Sequence, residues 1–193
     1  MEAEREHLIE AALRQAARGD SAAFADLVRE HQGMVFSIGW HFLQDRSLAE
    51  DVAQEVFLEL YRRLKEIQSP AHLKFWLRRV AAHRSIDQGR RSRNRREQPM
   101  ETTEMLEALP EPAVRAHGGD PLLHKQLRRS LMLLAPKQRM MVLLRYQEDL
   151  GPAEIAEIMN IPVNTVKSTL HRALEELRGK LARKVGEVRY AFF

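Results

Sequence analysis

The chain has 193 residues, 44% hydrophobic and 30% charged, with a formal net charge of +4; this is the composition of a folded globular protein, long enough for one medium domain or two small ones. Cysteine is absent and the eight histidines show no HExxH or comparable ligand spacing, which excludes disulfides and thiolate chemistry and leaves no cofactor or metal expected. No apolar run approaches the roughly 18 residues that cross a bilayer, and Glu2, Glu4, Arg5 and Glu6 stand where a signal peptide needs an apolar stretch, so a cytoplasmic protein without membrane insertion is expected.

Apolar spacings of three and four recur along the chain, while no segment alternates apolar and polar residues between turn signals, so the fold class is predicted to be all-α. The first clear helix follows Asp20 or Ser21 as cap, with Phe24, Leu27 and Val28 as its buried stripe. The next opens with Ser47 and Glu50 at capping-box spacing and runs to about Leu64. In it Val52, Val56, Phe57, Leu60 and Leu64 face inward, leaving Asp51, Gln54, Glu55 and Leu58 as a second face, acidic with one apolar residue. Such a face suits a partner helix with basic side chains. A third helix places Phe75, Trp76, Leu77, Val80 and Ile86 inward, with Trp76 read as core, and leaves Arg78, Arg79, His83, Arg84, Asp87, Arg90 and Arg91 outside. It ends in the cluster GRRSRNRR, where phosphate contacts and salt-sensitive binding are expected.

Residues 97–121 then hold Pro99, Pro110, Pro112, Gly118, Gly119 and Pro121 with few large apolar side chains, too little to offset the entropy of ordering. They read as a flexible linker between two small helical domains, 1–96 and 122–185, followed by a tail, 186–193, in which Tyr190, Phe192 and Phe193 are expected to fray. Within the second domain the helix PKQRMMVLLRYQ precedes a short helix with Ile155, Ala156 and Met159 inward. A tight connection at Asn160 to Pro162 leads to a longer helix burying Val166, Leu170, Ala173, Leu174 and Leu177. This is the pattern of a helix-turn-helix, whose second helix enters a DNA major groove. The polar set Asn164, Lys167, Ser168, His171 and Arg172 falls on its free face, the early residues toward base edges and Arg172 toward phosphate, and Thr165 is counted with them as a DNA-binding candidate.

The stretch EIAEIMNIPVNTVKSTLHRALEELRGKL resembles the last conserved region of sigma-70-family transcription initiation factors, specifically the extracytoplasmic-function sigma factors. Glu154, Ile155, Ala156, Thr165, Val166, Lys167, Ser168, Arg172 and Ala173 match the usual pattern. Asn160 and Asn164 replace glycines, and Thr169 replaces an arginine, which implies one phosphate contact fewer. LAEDVAQEVFLELYRRL resembles the region that docks on a coiled coil of the RNA polymerase clamp, which makes Asp51, Gln54, Glu55 and Leu58 the implied contact. HLKFWLRRVAAHRSIDQGRRSRNRR resembles the region that binds and opens the promoter around the start site, with Arg79, His83, Arg84, Asp87, Arg90 and Arg91 toward DNA and residues 68–74 as a loop lining the base pocket.

The resemblance implies a promoter-specificity subunit, not an enzyme. It binds core RNA polymerase at the clamp and flap, reads a −35-type element with the C-terminal helix-turn-helix, and recognises and opens a −10-type element with the N-terminal domain. Since no nucleotide-hydrolysing motif is present, strand opening draws on binding energy. The linker is expected to pass through polymerase channels used by RNA, where Glu101, Glu104, Glu107 and Glu111 mimic nucleic-acid charge. An anti-sigma factor or other regulator is an expected partner. The competing reading is a stand-alone helix-turn-helix regulator that binds duplex DNA without polymerase; an enzyme with a DNA-binding tail would need clustered carboxylates, a phosphate-binding glycine loop or a nucleophile motif, and none appears.

Overall fold

The computed structural model describes residues 2–96 and 121–190, with side chains over 3–93 and 125–181. Among these residues there are eight α-helices and no strand, in two compact units. The all-α expectation is met. The predicted linker lies outside the described residues except for Pro121, and so do its carboxylates Glu101, Glu104, Glu107 and Glu111.

The first unit comprises α1 (Glu2–Ala16), α2 (Ser21–Leu43), α3 (Arg46–Arg63) and α4 (Pro70–Arg96), with a single 3₁₀ turn, Leu64–Glu66, after α3. Gly19, at φ +98°, turns the chain between α1 and α2, a backbone conformation open to a residue without Cβ. Asp20 then caps α2, its Oδ1 accepting from the N–H groups of Ala22 at 2.8 Å and Ala23 at 3.2 Å. These bonds satisfy two of the orphan donors every helix start exposes.

Helix α2 stops where Gln44 enters the left-handed region at φ 54° and donates its backbone N–H to Trp40 O at 2.8 Å. The next acceptor along the chain is Asp45, whose Oδ1 takes the N–H of Leu48 at 3.0 Å. This corrects the predicted capping box: α3 begins at Arg46, so Ser47 already lies inside the first turn and Glu50 pairs with Arg46 Nε at 2.9 Å instead. Similarly, Ser69 Oγ accepts from His72 N–H at 3.1 Å while His72 Nδ1 accepts from Gln68 N–H at 3.2 Å, and α4 starts at Pro70. The reciprocal cap extends the helix into the segment expected as a loop, leaving only Gln68 and Ser69 of residues 68–74 outside it.

The core of this unit forms around Leu27, Val35, Ile38, Phe42, Val52, Val56, Leu60, Leu73 and Leu77, all nearly inaccessible; each such side chain contributes about 1.5–3 kcal/mol by leaving water. In α2 only Leu27 of the predicted stripe is fully buried, with Ala23 and His31 beside it. Phe24 sits at the edge, its ring 5.2 Å from that of Tyr61 in a T-shaped contact. In α4 the buried line is Leu73, Leu77, Ala81, Ala82 and Ser85, while Phe75, Trp76, Val80 and Ile86 are half-buried. Close helix packing turns the small side chains inward and rotates the bulky ones to the flanks.

The second unit comprises α5 (Pro121–Met132), α6 (Pro136–Tyr146), α7 (Pro152–Met159) and α8 (Val163–Tyr190). Proline stands first in all of these helices but α8, where its fixed φ suits the first turn and its missing N–H costs nothing. Glu154 Oε2 reaches back to the Gly151 N–H at 2.8 Å to start α7. That helix ends at Asn160, in the left-handed region at φ 52° and ψ 54°, with Ile161 N–H donating to Ala156 O at 3.0 Å. With the Asn160 N–H donating to Glu157 O at 3.4 Å, the two bonds make the closure expected where a helix reverses sharply, and asparagine tolerates the conformation better than most residues. Ile155, Ala156, Ile158 and Met159 of α7 meet Val166, Leu170, Ala173 and Leu177 of α8 in the core. Leu174 is half-buried. The α8 backbone continues to Tyr190, through the start of the predicted tail; Phe192 and Phe193 lie outside the described residues.

Candidate nucleic-acid and protein interfaces

On α8 every residue of the predicted reading set is exposed: Asn164, Thr165, Lys167, Ser168, His171 and Arg172. With 3.6 residues per turn, Asn164, Lys167, Ser168 and His171 form one line opposite the buried line of Val166, Leu170, Ala173 and Leu177. The Ser168 hydroxyl donates to Thr165 O at 3.2 Å, which engages its proton and leaves the oxygen free to accept. His171 Nε2 lies 3.3 Å from Glu175 Oε1, so the carboxylate one turn on steers the imidazole along the helix. Thr169 is half-buried at the flank of this face.

On α3 the buried residues Val52, Val56, Phe57 and Leu60 leave Asp51, Gln54, Glu55 and Leu58 exposed together, at successive turns of one face. Leu58 is 51% accessible, a large apolar side chain one turn from Glu55. The same line continues into exposed Tyr61 and Arg62, which were not part of the sequence reading. The three-and-four spacing from Leu58 was the signal that would have found them.

On α4 the structure divides the six candidates into two lines. Arg79, Asp87 and Arg90 are exposed, with half-buried His83 between them, on one side. Arg84 and Arg91 lie about 120–140° further round the helix, where they border a groove shared with Glu55, Leu58, Glu59 and Arg62 of α3. Arg84 spans that groove. Its Nη2 donates to Glu59 Oε2 at 2.8 Å and its Nη1 is 3.5 Å from Glu55 Oε2. The Glu59 hydrogen bond raises the Arg84 pKa above the ordinary arginine range, so the guanidinium is held charged and aimed. Glu59 itself also pairs with Arg63 Nε at 3.7 Å. No pattern in the sequence singles out Glu59, because its role depends on α4 lying alongside α3.

The sets on α3, α4 and α8 contain no catalytic constellation, and no group of three or more histidines, aspartates or glutamates placed to hold a metal exists among the described residues. No helix among them is long and apolar enough to cross a membrane.

Comparison with known proteins gives a consistent result. The family described as Sigma-70 region 2 matches residues 27–96 and the family described as Sigma-70, region 4 matches residues 124–177. The ECF RNA polymerase sigma factor SigW of Bacillus subtilis is 32% identical over 187 residues, covering 91% of this chain and 98% of that protein. The ECF RNA polymerase sigma factor SigE of Mycolicibacterium smegmatis is 31% identical over 183 residues, covering 89% of this chain and 67% of that protein. Among solved structures, the sigma factor RpoE of Bartonella quintana, crystallised with the anti-sigma factor NepR, shares the fold at a TM-score of 0.66 and 19% identity, over 82% of this chain and 96% of that one. CnrH, solved with the cytosolic domain of CnrY, does so at a TM-score of 0.65 and 20% identity, over 90% and 96%.

Proposed function

The chain belongs to the sigma-70 family of RNA polymerase sigma factors, in its extracytoplasmic-function group, and from that premise we propose how its surfaces divide the work of promoter-specific transcription initiation. The protein binds core RNA polymerase and directs it to promoters. Residues 1–96 dock on the polymerase clamp through Asp51, Gln54, Glu55 and Leu58, and recognise and open the −10-type element through Arg79, His83, Arg84, Asp87, Arg90 and Arg91. Residues 122–185 dock on the flap and read the −35-type element through Asn164, Thr165, Lys167, Ser168, His171 and Arg172, with 97–121 as the linker between them and 186–193 as a tail.

The observation that supports this assignment is the coincidence of two independent surfaces with the two matched regions. The exposed α3 face is acidic with a central leucine, the chemistry for a helix that presents basic and apolar side chains. The exposed α8 face offers amide, hydroxyl, imidazole and cationic groups on a helix preceded by a tight turn, the geometry of major-groove reading. Opening the duplex requires a few kcal/mol per unstacked base, which capture of the separated strand and polymerase contacts supply. The protein performs no catalysis of its own and works in the cytoplasm, where an anti-sigma factor or another regulator controls it.

In vitro transcription on a pool of promoters tests the reading. Core polymerase with this protein initiates at new start sites that core polymerase does not use. No new start sites from folded, inhibitor-free protein overturns it. Specific binding of a duplex promoter by the protein without polymerase would instead favour a stand-alone regulator.

A further inference from the structure

Arg84 joins two surfaces that the proposed function assigns to different partners. It is rooted in α4, further round the helix than the outward line of Arg79, Asp87 and Arg90 that the proposed function turns to DNA, and its guanidinium lies against α3 on two carboxylates held unequally. Glu59, with a side chain only 24% exposed, takes a 2.8 Å hydrogen bond and is also paired with Arg63. Glu55, 49% exposed, stands 3.5 Å away at the accessible side of the groove. A tight, sheltered bond anchors the guanidinium; a looser, accessible one is open to exchange.

We propose that Glu55 exchanges Arg84 for a basic side chain of the polymerase, and that the guanidinium nitrogen so released turns to a backbone phosphate of the promoter, coupling polymerase docking to DNA binding. The proposal rests on the reading of Glu55 as a docking residue. An arginine fork has a fixed geometry, so when Nη1 loses Glu55 while Nη2 stays on Glu59, its free donor is presented rather than lost to random rotation. The place it is presented to attracts anions: the groove, of about 440 Å³, sets Arg62, Arg63, Arg84 and Arg91 against only Glu55 and Glu59. In the free protein, Glu55 neutralises Arg84 and Arg84 neutralises Glu55, so each surface is weaker until the other is occupied. Arg84 is thus a positioning residue for both contacts. By linkage the effect is reciprocal, DNA strengthening polymerase binding by the factor by which polymerase strengthens DNA binding. For one partly exposed ion pair that factor is about two- to fivefold.

The test is a set of affinities for the full chain, wild type, Arg84→Gln, Glu55→Gln and Leu58→Asp, with core polymerase and with a labelled single-stranded oligodeoxynucleotide of mixed sequence, each alone and both together. Arg84→Gln is expected to tighten polymerase binding without DNA by about two- to fivefold, because Glu55 is released, while weakening DNA binding. Glu55→Gln is expected to tighten DNA binding of the free protein by a similar factor while weakening polymerase binding. The mutual strengthening expected of the wild type is expected to disappear in both. If Arg84→Gln leaves polymerase affinity unchanged or lower, and Glu55→Gln leaves DNA affinity unchanged or lower, the pair is a structural brace and the proposal falls. Should Arg84→Gln fail to fold by circular dichroism, Glu55→Gln, a near-isosteric change of a half-exposed side chain, decides alone. Leu58→Asp separates the two levels: no loss of polymerase affinity there refutes the docking surface itself, whereas a loss there without the reciprocal gains refutes only the exchange.

Discussion

Gly89 on α4 lies so close to Phe42 on α2 that a Cβ at Gly89 would stand 3.1 Å from Phe42 Cε1. The Phe42 ring is fully buried, so giving way means pressing it into a close-packed core. Alanine in a helix interior is ordinarily favoured over glycine by about 0.5–1 kcal/mol, but overpacking a filled core costs about 1–3 kcal/mol, so the contact wins. Gly89→Ala is expected to lower the melting temperature of the first unit and Gly89→Val to lower it further. Gly33 on α2 is the control: a Cβ there meets nothing within 4 Å, and Gly33→Ala is expected to raise stability by roughly 0.5–1 kcal/mol. Thermal unfolding by circular dichroism checks both signs.

His31 is buried in α2, where its Nδ1–H donates to Leu27 O at 2.9 Å. Burial, the largest influence, lowers its pKa, against the smaller raising effects of the Leu27 bond and Glu30; Arg5 and Lys74 lower it further. The folded state therefore binds this proton less readily than the unfolded chain, and stability present above the ordinary imidazole value, about 6.5, is lost as pH falls through and below it. The expected outcome is a melting temperature that drops between neutral pH and about pH 5, with a shallower drop in His31→Gln. An unchanged slope in that variant would place the sensitivity elsewhere.

The turn between α7 and α8 depends on Asn160 at φ 52°. Asn160→Gly keeps that conformation accessible and is expected to preserve or raise the melting temperature of the second unit. Asn160→Val is expected to cost roughly 1–2 kcal/mol, the penalty for a residue whose Cβ meets the following carbonyl oxygen in the left-handed region. Differential scanning calorimetry of the two variants measures it.

The residues exposed on α8 predict distinct kinds of loss. Asn164→Ala is expected to relax discrimination at one base position by about 1–3 kcal/mol, read by competition among promoter variants. Lys167→Ala and Arg172→Ala are expected to weaken binding of all sequences alike and to reduce the dependence of log K on log salt by about one unit each where they touch phosphate. Thr169→Arg, restoring the cation usual in the family, is expected to raise affinity with a steeper salt dependence.

The helix-turn-helix was legible almost residue by residue, because a helix of 3.6-residue period with one buried face leaves little freedom in which side chains point out. Ile155, Ala156, Met159, Val166, Leu170, Ala173 and Leu177 are all buried as expected, and Asn160 occupies the left-handed position. The exposed set on α3 was legible for the same reason. The stripe of α4 was less so: of Phe75, Trp76, Leu77, Val80 and Ile86 only Leu77 is fully buried. Hydrophobicity alone favours the bulky residues, whereas a helix packed closely against neighbours turns its small ones, Ala81, Ala82 and Ser85, to the contact. Helix starts were misplaced at Ser47 and near Ser69, since the competing acceptors Asp45 and His72 are decided by where the preceding chain ends.

Local periodicity along the chain therefore determined the helical class and the faces of α3 and α8, and short motifs carried the family resemblance, because each is a property of residues within a few turns of one another. What only the tertiary structure decided is which helices lie side by side. That placement put Glu55 and Glu59, 29 and 25 positions before Arg84, against one guanidinium, and divided the α4 candidates into an outward line and one bordering α3. Ion pairs between helices form where packing of apolar faces brings them, and no spacing within either helix records it.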